Sequence, residues 1–100
     1  MELNAAIKRI VDTGKIDIGT RKTVSNLMHG KAKAVVVSSN CPDGIRNDIK
    51  QYSKISETPV INFPGTSLQL GEACGKPFVV SAISIINPGS VSIRDLRGTK

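Results

Sequence analysis

Ala34-Val35-Val36-Val37-Ser38 is an unbroken apolar, β-branched run that turns polar only at its last residue. A strand with one wet face alternates apolar and polar side chains, so a continuous run of this kind reads as a strand covered on both faces. The chain to either side has helical periodicity, so helices are the natural cover. This one segment therefore points to a sheet sandwiched between helical layers, the α/β class.

The remaining elements follow from the same periodicities. Leu3, Ala6, Ile7, Ile10 and Val11 recur on one helical face, and Gly14 ends that helix in the position glycine favours. Lys15-Ile16-Asp17-Ile18 alternates as a short strand. A second helix opens near Thr20, is expected to carry Val24, Leu27 and Met28 inward, and stops at Gly30. Pro42 suits the first turn of a third helix, with Ile45, Ile49 and Tyr52 on its inner face. Pro59 to Phe63 reads as a strand. Thr66 or Ser67 caps a short helix carrying Leu70, Ala73 and Cys74. Val79 to Ile86 reads as the last strand, and Ser90 to Leu96 as a helical turn. About four strands with helices on both faces are expected, in one domain spanning residues 1–100.

Composition then excludes function classes. The 39% hydrophobic and 22% charged fractions are globular values. No apolar run reaches the roughly 18 residues of a membrane span, and no signal-like segment opens the chain. The expectation is a soluble, unexported, cytoplasmic domain with no membrane partner. Cys41 and Cys74 lack the short spacing of a metal or redox pair, and His29 is the one histidine, so neither metal nor cofactor is expected. His29 itself suits a helix C-terminus, where an imidazolium is favoured by the dipole. Neither phosphate-loop pattern, G-x-x-x-x-G-K-S/T or G-x-G-x-x-G, occurs. Nothing in the pattern pairs a nucleophile with a base, so an enzyme is not expected. The net charge is +6. Residues 1–33 hold seven basic and three acidic side chains, an imbalance that favours a phosphate-rich partner.

Three loops stand out. Gly19-Thr20-Arg21-Lys22-Thr23 opens a helix with free N–H groups and two cations, which favours a phosphate, though it also reads as an ordinary helix start. Ser39-Asn40-Cys41-Pro42 joins a strand to a helix; the Asn40 amide either reads a base edge or caps a turn. In Lys76-Pro77-Phe78-Val79-Val80-Ser81, Phe78 either stacks on an unpaired base or fills the core. The first two loops lie at the same end of a parallel-type sheet. The third joins them if the last strand runs antiparallel to its neighbours or if the preceding helix folds across.

These loops carry a resemblance. Asp12 to Ile16, Gly19 to Thr23, Lys33 to Val37, Asp48 to Tyr52, Pro59-Val60 and Gly65-Thr66-Ser67 with Leu70-Gly71 together resemble the archaeal and eukaryotic e-type family "thirty" of the large ribosomal subunit, within the kink-turn RNA-binding superfamily. The resemblance runs from Ile7 to about Leu96. It implies a three-layer α/β/α sandwich with a mixed sheet, no catalysis, and three loops gripping a kinked internal loop of ribosomal RNA. By that likeness Gly19 permits close backbone approach, Arg21 and Lys22 contact phosphate or guanine, and Thr20 belongs to the same RNA-binding loop. Asn40, Cys41 and Pro42 form the second contact, Asn40 on a base edge. Phe78, Val79, Val80 and Ser81 form the third, Phe78 and Val80 on an extruded nucleotide. Ribosomal RNA and neighbouring ribosomal proteins are the implied partners of a chain that is monomeric when isolated. Arg21-Lys22 stands where much of the superfamily has Asn-Glu, which favours the "thirty" branch over non-ribosomal kink-turn adaptors. The positive charge disfavours the acidic protein-interaction regulators of the same fold.

Overall fold

The computed structural model describes residues 3–91. Along the chain run α1 (Leu3–Thr13), β1 (Lys15–Ile18), α2 (Thr20–Met28), β2 (Ala34–Val37), α3 (Asp43–Ile55), β3 (Val60–Asn62), α4 (Ser67–Ala73) and β4 (Ala82–Asn87). The four strands form one mixed sheet in the order β1-β4-β2-β3. β4 is antiparallel to both β1 and β2, while β2 and β3 are parallel. β1, β2 and β3 therefore point the same way, and β4 returns between them.

The valine run behaves as its composition demands: all four residues of β2 are buried. Alternate side chains enter two separate cores. Ala34 and Val36 pack with Leu3, Ile7, Ile10, Leu70, Ile83 and Ile85 under α1 and α4. Val35 and Val37 pack with Leu27, Ile49 and Ala82 under α2 and α3. The result is a three-layer α/β/α sandwich. Truncating a residue such as Ile83 to alanine in a core of this kind costs about 2–5 kcal/mol.

Four expectations change. Met28 is 60% exposed, whereas Thr23 and Asn26 are buried on α2. The inner face of α2 is thus partly polar, and it is satisfied: Asn26 Nδ2 donates to Asp17 Oδ2 at 2.9 Å and to Ser84 Oγ at 2.8 Å, locking α2 onto β1 and β4. β3 is shorter than the apolar stretch suggests, although Phe63 still donates its N–H to the Val37 carbonyl at 2.8 Å. β4 begins at Ala82 rather than Val79, because Lys76 to Ser81 pass over α4 before reaching the sheet. Pro42 is the N-cap residue of α3 and precedes its first turn. The expected turn from Ser90 to Leu96 lies mostly outside the described residues; Val91, the last of them, is buried in the α1/α4 core.

Candidate nucleic-acid interface

The topology settles which loops meet. Ile18 pairs with Ile83, and Val37 with both Ala82 and Asn62. The C-terminal ends of β1, β2 and β3 and the start of β4 thus share one rim of the sheet. Strand β4 is antiparallel to its neighbours, so the loop before it arrives at the same rim as the two strand-to-helix loops. The loops that carry Arg21, Asn40 and Phe78 all run into that single rim.

Backbone hydrogen bonds join the loops to one another. Gly19 N–H donates to the Ala82 carbonyl at 3.0 Å, and Ser38 N–H to the Ser81 carbonyl at 2.9 Å. Val80 N–H donates to the Ser67 carbonyl at 2.9 Å, and Ser39 N–H to that of Gly65 at 3.0 Å. Gly19 has φ +112°, a region that side-chain-bearing residues rarely adopt, so glycine is what lets β1 turn directly into α2. Its carbonyl accepts from Thr23 N–H at 3.0 Å and from Thr23 Oγ1 at 2.7 Å. No side chain caps α2 or α3, whereas α4 has a complete capping box from Thr66 and Gln69. Two helix starts on the rim therefore keep N–H groups free of side-chain caps, that of α2 beside two cations and that of α3 beside the Asp43 carboxylate.

Asn40 is the keystone of the second loop. Its Oδ1 accepts from Ser67 N–H at 2.8 Å and from Ser38 Oγ at 3.1 Å, and its Nδ2 donates to Ser67 Oγ at 3.3 Å. Both carbonyl lone pairs are engaged, which leaves one N–H free. The amide expected to donate and accept on a base edge can therefore only donate.

The remaining expected contacts divide by exposure. Arg21, Lys22, Pro42, Phe78 (52%) and Val79 (63%) are exposed, and Thr20 and Ser81 are half-buried. Phe78 is not a core residue. Val80 (2%) and Cys41 are buried, so neither side chain faces the rim; each offers only its backbone there. Val80 turns inward because it packs in the α1/α4 core. Burial also pushes the Cys41 thiol up, with Arg46 acting in the opposite direction and Asp43 reinforcing burial.

Two contributors escape the sequence reading. Arg46 donates to the carbonyls of Ser38 at 2.6 Å and Ser39 at 3.3 Å and to Asn62 Oδ1 at 3.3 Å, fixing the second loop from below. A cation in the first turn of a helix opposes the dipole, and that misfit was the available signal. Gly71 is the other: a Cβ there would collide with the Phe78 carbonyl oxygen, so α4 supports the third loop by backbone contact. Among the described residues no three His, Cys, Asp or Glu side chains gather as a metal site.

An α/β/α sandwich whose loops are tied into one rim, with cations beside an uncapped helix start, defines a small domain built to present a surface. The model of the Ribosomal protein L7Ae/L30e/S12e/Gadd45 family matches residues 1–94, and the chain belongs to that family, on its eL30 branch. It is 43% identical over 96 residues to the large ribosomal subunit protein eL30 of Methanococcus vannielii, covering 96% of this chain and 91% of that one. Against the protein of the same name from Methanothermobacter thermautotrophicus the identity is also 43%, over 98 residues, covering 98% of this chain and all of the other. A solved structure of a protein of unknown function from Bacillus halodurans has a TM-score of 0.77 at 18% identity, covering 84% of this chain and 83% of that one; this likeness shows the fold.

Proposed function

We propose that this protein is a structural constituent of the large ribosomal subunit, working in the cytoplasm without catalysing a reaction. On this reading it docks on a kinked internal loop of ribosomal RNA through Gly19 to Lys22, Asn40 to Pro42 and Phe78 to Ser81. The observation that carries it is the convergence of exposed Arg21, Lys22 and Phe78 with two uncapped helix starts on one braced rim. Cations and N–H groups suit closely spaced phosphates, while an exposed aromatic ring suits an unstacked base. Irregular RNA offers both together, and a regular A-form helix does not expose its bases in that way.

The test is a gel-shift titration against one RNA in kinked and straightened forms. The kinked form is expected to bind more tightly. Arg21→Ala with Lys22→Ala should flatten the salt dependence by about 0.7 to 0.9 in log–log slope for each phosphate that is no longer neutralised. Equal affinity for both RNA forms, or an unchanged slope in the double variant, removes this rim from RNA recognition.

A further inference from the structure

The rim proposed above to hold kinked RNA, called the kink rim below, accounts for only part of the chain's positive charge. At the opposite rim, β1 and β2 begin on either side of the end of β4: Lys15 pairs with Asn87, and Lys33 N–H donates to the Ile85 carbonyl at 2.7 Å. Two inter-strand spacings separate Lys15 from Lys33, about 10 Å. Lys31 follows the end of α2, its N–H bonded to the Asn26 carbonyl at 2.9 Å, and Lys54 lies in the last turn of α3. All four lysines are exposed, and among the described residues Asp12 and Glu57 are carboxylates near them, with Glu72 beside Asp12. Lys15 and Lys33 stand about one Debye length apart at 0.1 M salt, and Lys31 is two residues from Lys33, so these ammonium groups act on a polyanion together.

We propose that this second rim, Lys15, Lys31, Lys33 and Lys54, holds the phosphate backbone of a straight RNA duplex while the first rim holds the kinked one. The domain then bridges two RNA segments. The proposal rests on the function proposed above only in its bridging role. Duplex RNA suits the site because the lysines offer flexible point charges without a braced pocket. A regular helix presents phosphates in series and asks for little else. Met28 and Ile55 stand exposed at the ends of α2 and α3 at the same rim, which makes an acidic protein surface the competing occupant.

The experiment adds a fluorescent straight RNA duplex to protein already saturated with unlabelled kinked RNA. A ternary complex is expected at low salt. Lys15→Ala, Lys31→Ala and Lys33→Ala combined should weaken duplex binding at least tenfold and reduce the salt slope by about 2. Affinity for kinked RNA alone should change less than threefold. All three side chains are exposed, so circular dichroism is expected to show an unchanged fold. A ternary complex that never forms, or that forms equally well with the triple variant, overturns the proposal. So does binding of poly-glutamate with no binding of the duplex. Should kinked RNA fail to bind at all, the duplex is titrated against free protein. Loss in the lysine variant with none in the Arg21→Ala/Lys22→Ala variant supports the second rim, and the reverse pattern overturns it.

Discussion

The two rims of the sheet are both basic and both assembled from turns, but they are built differently. At the kink rim, side chains reach across layers: Asn40 joins the β2–α3 loop to the start of α4, and Arg46 clamps two carbonyls of the same loop. At the opposite rim the lysines project from turns held by backbone bonds; one side-chain brace is local, Ser56 with Thr58, and another, Thr13 with Ser90, ties the end of α1 to the turn after β4 without engaging a lysine. The difference separates two tasks. A braced surface holds a geometry and can discriminate between shapes; a set of mobile charges gives attraction and registers little detail, as phosphate contacts do in nucleic-acid complexes generally.

Glycines at the two rims give the largest test of that contrast. A Cβ on Gly71 meets the Phe78 carbonyl, and a Cβ on Gly14 meets the Asn87 carbonyl and the Gly89 N–H at the other end. Each alanine variant forces backbone apart and is expected to lose about 1–3 kcal/mol of stability, read by urea denaturation. Only Gly71→Ala should also weaken kinked-RNA binding per folded molecule, because only it displaces the third loop. Equal loss in both variants would break the distinction between the rims. Phe78→Ala comes next: RNA affinity should fall by about 1–3 kcal/mol if the ring stacks on a base, with stability within about 0.5 kcal/mol of the parent, since the ring is exposed. Normal affinity in that variant removes Phe78 from the surface's work. Asn40→Ala leaves the Ser67 N–H without its acceptor and should cost about 1 kcal/mol of stability. Its affinity for straightened RNA should hold while the preference for the kinked form shrinks, and an undiminished preference would show that the brace does not set shape discrimination.

Much of this was readable from residue types alone. The valine run dictated helices on both faces, and glycine with two cations at a helix start marked the first loop. What escaped was long-range. Gly14 looked like a C-terminal helix glycine, yet its φ is not positive; glycine is needed there because the Asn87 carbonyl of β4 arrives from the far end of the chain. Asn40 was legible as a polar loop residue, but the engagement of its carbonyl depends on Ser67, which pairs with it only after α4 docks. Val80 and Phe78 are two residues apart in one apolar stretch, and periodicity could not say which would face out, because that stretch is loop and not strand.

Both thiols are free and buried, Cys41 within the second loop of the kink rim and Cys74 at the C-cap of α4, beside Val11 and Asp12 of α1, where the chain turns back toward the third loop. Burial raises the Cys74 thiol from 9.0 to about 11, with Lys76 acting in the opposite direction. The thiolate is the reactive form, so alkylation at neutral pH should be slow in the folded protein and fast in urea. The folded-state value lies above the unfolded one, so the contribution to stability is fully present below about pH 9 and is lost as pH rises through about 11. Cys74→Ala should therefore flatten the fall in denaturation midpoint between those two pH values. An identical fall in variant and parent would mean that the third loop opens readily enough to hydrate Cys74. The turn that leads from α4 into the third loop would then be open to water rather than packed.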